Sequence, residues 1–361
     1  MHRIRTGLIA GGETAHTAAP ATARADLFAS SLRRIKRTAA LTLFLAVMLA
    51  GGVISGVIAD DYPQRTVTFI VPYPPGGGTD ILTRMLAQAL QDSLKQPFIV
   101  ENRPGAGTLI AAAAVAKSAP DGYMLFLAPV TTLAINPAVY KSLPYDPIKD
   151  FASVGLVGAA QFVLVVNPSL GVNTLSELIA LMKSKPPGEM SFASAGAGTP
   201  HHIFMEMFLK MAGVKAQHVP YRGSVPALTD VLSGQIPFMM VDVAPALELI
   251  KEGRLKALAV PSPTRVKVLP DVPTIAEAGL PGYSALGWFS VVVRAGTPRS
   301  TIDKLNQVLM SYLKRVDVQE KLQALGIEAL TSTPEQLDRH IASELQKWSQ
   351  VVRDAGVSRI E

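Results

Sequence analysis

Two glycine-rich turns stand where a strand pattern gives way to a helix pattern, and the chemistry they offer is that of the backbone. The first is Val71-Pro72-Tyr73-Pro74-Pro75-Gly76-Gly77-Gly78-Thr79-Asp80, between an alternating stretch at 66–71 and a helix expected over 81–94. The second is Ser194-Ala195-Gly196-Ala197-Gly198-Thr199-Pro200-His201-His202, between a short strand and an apolar-striped helix. The leading amides of a helix have no intrahelical acceptor, and the helix dipole is positive there, so each turn can attract an anion. The expectation is that the two turns face each other across a cleft.

Pro72 and Pro74-Pro75 stiffen the approach to the first turn, while Gly76, Gly77 and Gly78 let the backbone come close to a ligand. Tyr73 and Thr79 add hydroxyls there, and Asp80 could cap the helix or hold the loop. A plain tight turn is the bland alternative. A phosphate loop is not indicated, because the Lys-Ser/Thr of that motif is absent. In the second turn, Gly196 and Gly198 lack the third glycine of a dinucleotide site. Thr199 could cap the helix or bond a ligand. His202 and Glu206 share a helical face, but two side chains are too few for a metal, so neither metal nor cofactor is expected. Thr131 and Thr132 follow a strand end, where open α/β sheets bind ligands. Tyr221 and Arg222 follow another strand; Arg222 could pair a carboxylate or sit at the surface. Asp242 ends a further strand and could accept from a ligand amine or brace a loop. There is no Gly-x-Ser-x-Gly, no His-Glu-x-x-His and no closely spaced acidic pair with an obvious catalytic role, which lowers the case for an enzyme.

These residues need a scaffold of alternating elements. Strand patterns at 66–71, 97–100 and 123–128 are separated by helical stretches at 81–94 and 108–117, an order that argues for a parallel sheet. A third glycine-rich loop, Glu101-Asn102-Arg103-Pro104-Gly105-Ala106-Gly107, lies between the last two. A proline-bearing crossing segment at 136–150 leads to strands at 151–158 and 161–166, and a lobe boundary is placed near Ala160. Strand and helix alternate again from a capping box at Thr174–Glu177 to a strand at 255–260. The proline-rich stretch 261–282 reads as a surface connection holding a short capped helix at 274–277. A strand at 286–293 returns to the first lobe, and helices starting near 300, 318 and 333 close the chain. The expected division is a leader at 1–59, one lobe from 60–160 plus 285–361, and a second lobe at 161–284.

The chain has 361 residues, no cysteine and a formal net charge of +6. No cysteine means no disulfide, no thiolate catalysis and no Cys-bound zinc. The positive balance is local: before Asp60 there are seven basic side chains and two acidic ones, so the remainder carries about +1. The body therefore has no basic footprint for nucleic acid. Arg33-Arg34-Ile35-Lys36-Arg37, the uncharged run 38–59 and the small residues before Asp60 read as an export signal cleaved near Ala59. A retained membrane anchor is the alternative, since the run approaches the ~20 residues that span a bilayer.

Together, Val71 to Asp80, Glu101 to Gly107, Asp121-Gly122-Tyr123, Gly196 to His202, Val219-Pro220-Tyr221-Arg222-Gly223, Val272-Pro273-Thr274 and Glu277-Ala278-Gly279 resemble the periplasmic solute-binding proteins of tripartite tricarboxylate transporters, the Bug or TctC-like family. The match runs over about 60–356. The resemblance implies a type II periplasmic-binding fold: two α/β lobes, two crossing strands and a ligand cleft between them. It implies capture of a small organic carboxylate by backbone amides and bridging waters, and delivery to a membrane permease by a monomeric periplasmic receptor. By position, it implies ligand contacts from 72–80, Thr131, Thr132, Gly196, Gly198, Thr199, His202, Tyr221 and Asp242. The family often has Phe where Tyr73 stands and a small polar residue where Ala197 stands, so a side-chain bond is missing at Ala197. Two other classes stay open: a lyase or hydrolase using the same cleft, and a sensor that signals to a membrane kinase.

Overall fold

The computed structural model describes residues 62–357, 359 and 360. The expected export signal and its cleavage point near Ala59 lie outside the described residues. Among those described, no helix is long and apolar enough to cross a membrane.

The chain order is β1 (Val67–Val71), α1 (Gly78–Leu94), β2 (Phe98–Asn102), α2 (Leu109–Ala116), β3 (Met124–Pro129), α3 (Asn136–Val139), β4 (Phe151–Ala160), β5 (Phe162–Val166), α4 (Leu175–Ser184), β6 (Ser191–Ser194), α5 (Pro200–Ala212), β7 (Gln217–Pro220), α6 (Ser224–Leu232), β8 (Phe238–Asp242), α7 (Val243–Lys251), β9 (Lys256–Ala259), β10 (Gly287–Arg294), α8 (Arg299–Leu313), α9 (Val316–Ala324), β11 (Ile327–Glu328) and α10 (Pro334–Ala355). The strands form a six-stranded sheet, β11-β4-β10-β3-β1-β2, and a five-stranded one, β7-β6-β8-β5-β9. In each sheet the βαβ strands are parallel, β2-β1-β3 in one and β7-β6-β8 in the other. Where the chain passes between the sheets the sense reverses: β10 runs antiparallel to β3 and β4 in the first, and β5 runs antiparallel to β8 and β9 in the second. Alternating strands and helices account for the parallel runs, because a right-handed crossover returns each strand parallel to the last.

Apolar runs such as Phe162–Val166 are buried throughout, as strands covered on both faces must be. One core, with Phe69, Leu86, Leu305 and Leu309, fills one face of the larger sheet. Another, with Val163, Val231 and Met239, fills one face of the smaller. A third takes residues from both, joining Phe126 and Trp348 to Phe192 and Phe204. Phe204 of α5 stacks on Trp348 of α10 with ring centroids 5.2 Å apart. The two sheets are therefore bound through shared apolar packing behind the cleft.

At the passage from β4 to β5 the backbone is bonded to both sides. Gln161 N donates to Gly326 O at 3.0 Å, and Val243 N donates to Gln161 O at 2.8 Å. Gly326 has φ +70, and a Cβ there would stand 3.1 Å from Ala244 Cβ, so a side chain would wedge this seam apart.

Three local expectations differ. α1 starts at Gly78, inside the glycine run, and not at 81. Residues Thr131–Ile135, expected only as the exit of a strand, form a π-helical turn. At 274–277 the reciprocal bonds of a capping box are present, Thr274 N to Glu277 Oε2 at 2.8 Å and Glu277 N to Thr274 Oγ1 at 3.0 Å, but they close a turn and no helix follows.

Candidate functional site

The carboxyl ends of β1, β3, β6 and β8 open onto one cavity of about 1160 Å³. At ~30 Å³ per water that space holds tens of waters, which leaves room for a small ligand bonded partly through solvent. Four helices begin on its wall. α1 starts after Gly77, α5 after Thr199, α6 after Gly223 and α7 after Asp242, and none of the four has a side-chain cap. α4 and α10 lie elsewhere and are capped by Thr174 and Thr333. α8 and α9 are also uncapped, so it is the convergence of four ends that distinguishes the cavity.

The first α1 amide with a backbone acceptor is that of Ile81, bonded to Gly77 O. The amides of Gly78 and Thr79 are therefore left over on the cavity lining. In the same way the amides of His201, Ser224 and Ala244 have no backbone acceptor among the described residues. The third glycine loop contributes too: Gly105, Ala106, Gly107 and Thr108 line the cavity, and a 3₁₀ turn spans Ala106–Thr108. Each helix end favours an anion by about 0.3–2 kcal/mol, and several acting together suffice without a salt bridge. Arg222 is the only Lys or Arg on the lining, and no carboxylate pairs with it among the described residues.

Of the residues expected to touch ligand, Pro72, Tyr73, Gly77, Gly78, Thr79, Thr131, Thr199 and Asp242 line the cavity. Gly76, Asp80, Thr132, Gly196, Gly198, His202 and Tyr221 are not on the lining. Asp80 is buried, 3% exposed, and accepts from Gly76 N at 3.0 Å, Arg84 Nε at 3.0 Å and Asn102 Nδ2 at 2.9 Å. Burial opposes its charge, but Arg84, the Gly76 amide and Asn102 outweigh it and hold the carboxyl below its usual range. Of the two roles open to Asp80, it therefore takes that of holding the loop. Thr132 Oγ1 pairs with Thr108 Oγ1 at 2.7 Å. His202 Nδ1 accepts from Gly198 N at 3.1 Å, and its Nε2 lies 3.5 Å from Glu206. Gly196 O accepts from Thr199 Oγ1 at 2.7 Å, and Tyr221 donates to Asp230 Oδ2 at 2.5 Å.

The second turn thus presents Ala195, Thr199, Pro200 and His201 to the cavity while its glycines shape the bend. His201 was not singled out by its sequence, and neither were Phe162, Ser224 or the 325–327 segment, which also line the cavity. His201 is 8% exposed; its Nε2 is 2.9 Å from Asp242 Oδ2, and its Nδ1 is buried without a partner. Tyr73 lies near Thr131 and Asp242. Burial pushes its phenol up to about 12, with the Thr131 hydroxyl pulling down and Asp242 pushing up. The approach to Thr131 falls short of a regular hydrogen bond, since Thr131 Oγ1 is buried without a partner. Among the described residues no group of three or more metal-binding side chains is present.

Comparison with known proteins agrees with this architecture. Protein BugT of Bordetella pertussis is 40% identical over 319 residues, covering 88% of this chain and 97% of that protein. The structure of R. palustris Rpa4515 with adipate superposes with a TM-score of 0.74 at 34% identity, covering 83% of this chain and all of that one. MatC from Rhodopseudomonas palustris with bound malate gives a TM-score of 0.70 at 32% identity, covering 81% and 100%. The fold is the two-sheet α/β architecture of these periplasmic binding proteins. The model for the tripartite tricarboxylate transporter family receptor, TctC, matches residues 82–357, and the chain belongs to that family.

Proposed function

We propose that this protein is an extracytoplasmic receptor that captures a small organic carboxylate and hands it to the membrane permease of a tripartite transporter. The observation that carries this reading is the convergence of α1, α5, α6 and α7, each with uncapped leading amides, on one cavity. Relatives solved with adipate and malate support the same ligand class. The two lobes are assigned as 60–160 plus 285–361 and 161–284, with the cleft between them closing on the ligand. The ligand contacts are assigned to Pro72, Tyr73, Gly77, Gly78, Thr79, Thr131, Thr199 and Asp242, with Gly76, Asp80, Thr132, Gly196, Gly198, His202 and Tyr221 supporting them. The receptor acts as an exported monomer without cofactor.

A hydrolase or lyase in the same cleft is disfavoured by its side chains. His201 and Asp242 have the spacing of a base and its orienting acid, but His201 Nδ1 has no hydroxyl partner. Ser194 does meet His218 Nε2 at 2.6 Å, yet Ser194 is fully buried and out of a substrate's reach.

Calorimetric titration of the purified protein with mono-, di-, tri- and aromatic carboxylates tests the proposal. A true ligand at 100 times its Kd stabilises the folded state by about 2.7 kcal/mol, which a thermal melt also detects. Folded protein that responds to no carboxylate overturns the reading, and turnover of a bound ligand would replace it with catalysis.

A further inference from the structure

The anion seat described above contains a carboxylate of its own. Among the described residues Asp242 is the only acidic side chain on the cavity lining, and it is about one-third exposed there, at 32%. Its Oδ2 accepts from His201 Nε2 at 2.9 Å, and its Oδ1 has no hydrogen-bond partner among the described residues. It does not cap α7, whose N-terminus it precedes. His201 is held by an edge-to-face contact with Phe162, ring centroids 5.1 Å apart, so the side chain that fixes Asp242 is itself fixed. Tyr73 and Thr131 approach from the other sheet, and Thr131 Oγ1, on a residue 5% exposed, is a buried hydroxyl without a partner. One patch of wall therefore gathers an unpartnered carboxylate oxygen and the Tyr73 phenol, with the Thr131 hydroxyl enclosed beside them, amid amides that attract negative charge.

A carboxylate oxygen can only accept. Facing a second ligand carboxylate it repels; facing a hydroxyl or an ammonium it gains a charge-assisted bond. We propose that Asp242, oriented by His201 and flanked by Tyr73 and Thr131, is a specificity subsite for a hydrogen-bond donor on the ligand. The substrate class is then a hydroxy- or amino-carboxylate, its acid group on the helix-end amides and its donor on Asp242, in preference to a plain dicarboxylate. This rests on the carboxylate-receptor reading and narrows it. Asp242 is a ligand-contacting residue in this scheme and His201 a positioning residue.

The test is a matched series titrated calorimetrically into the purified protein: straight-chain monoacids of four and six carbons, the corresponding diacids, and the ω-hydroxy and ω-amino acids. The expected result is that at least one donor-ended acid binds about tenfold tighter than both its parent monoacid and its diacid. In Asp242→Asn that advantage shrinks to about threefold or less, while diacid binding strengthens as the repulsion is removed. His201→Gln, which can still donate to Asp242, keeps part of the preference, and His201→Phe loses it. A gain in diacid binding by Asp242→Asn also shows that the variant is folded. Diacids binding as tightly as donor-ended acids in the wild type, with Asp242→Asn indifferent, overturns the subsite and leaves the receptor reading standing. Binding of no acid of any class, by folded protein, overturns both.

Discussion

The imidazoles of His202 and His218 lie face to face, ring centroids 3.8 Å apart and 7° from parallel. His202 accepts the Gly198 amide, His218 bonds Ser194, and Phe192 stacks on both rings. The pair underpins the second glycine turn. Burial, and then the neighbouring His202, push the His218 pKa down to about 4 from its ordinary 6.5. The unfolded chain therefore takes up this proton at a higher pH than the folded one. The stability tied to neutral His218 is fully present above about pH 6.5 and is lost as pH falls from there toward 4. Melting temperature followed from pH 8 to pH 4 should decline more steeply through that window in the wild type than in His218→Gln. Parallel curves would remove His218 as the cause.

Asp80 bonds three partners on three segments: Gly76 in the first turn, Arg84 one helical turn on, and Asn102 at the end of β2. Asn102 in turn donates to Tyr73 O at 3.0 Å. Asp80→Ala should cost about 1–3 kcal/mol in urea denaturation, because buried donors are left without an acceptor. It should also weaken ligand binding roughly tenfold by freeing the loop that carries Gly77. Wild-type stability together with wild-type affinity would show that the loop is held by something else.

Gly107 has φ +59, and a Cβ there would come within 2.8 Å of the Tyr140 hydroxyl. Gly107→Ala should destabilise by about 1–3 kcal/mol, from left-handed backbone and overlap combined. Adding Tyr140→Phe removes the overlapping oxygen and should restore part of that loss, with the backbone share remaining. A double variant no better than the single one would mean that Tyr140 already yields.

Glu344 is 6% exposed and accepts from two fully buried indoles through one oxygen, Trp288 Nε1 at 3.0 Å and Trp348 Nε1 at 2.9 Å. Lys347 pairs with its other oxygen. Glu344→Ala strands both N–H groups and should cost about 2–6 kcal/mol, at 1–3 per buried donor. Glu344→Gln keeps an accepting oxygen and should cost less than half as much. Urea midpoints with unchanged m-values would establish the difference. A loss for Glu344→Ala within about 0.5 kcal/mol, the range of an ordinary surface change, would contradict the account.

Much of this molecule could be read along the chain because its signals are local. The alternation of strand and helix stretches anticipates the parallel runs β2-β1-β3 and β7-β6-β8, though not the antiparallel strands beside them, and the Thr333 capping box marks the start of α10. Gly77 and Gly78 announce the start of α1 and the nearby Thr79 amide. The second turn was harder. Which of its residues face the cavity depends on how the bend is seated, and Gly198 sits against Val139 and Ile360, far away in sequence. Local pattern therefore pointed to Gly196, Gly198, Thr199 and His202, of which Thr199 reaches the lining, joined there by His201. His201 and His202 are neighbours in a helix and so point about 100° apart; only packing decides which meets Asp242 and which meets His218. The 325–327 segment carries no local mark, since its place beside Ala244 arises from β11 pairing with β4. The third glycine loop did carry a signal of the same kind as the other two, a Gly-x-Gly before a helix, yet it was read only as a loop.

Among the described residues Arg222 is the only Lys or Arg on a lining where several helix-end amides converge. Dissolved ions shield an exposed guanidinium at the rim far more than amides fixed inside a pocket. Added sodium chloride should therefore slow ligand arrival, which Arg222 assists from the surface, and change ligand departure little. A receptor so built keeps its grip when the ionic strength of its surroundings rises and falls.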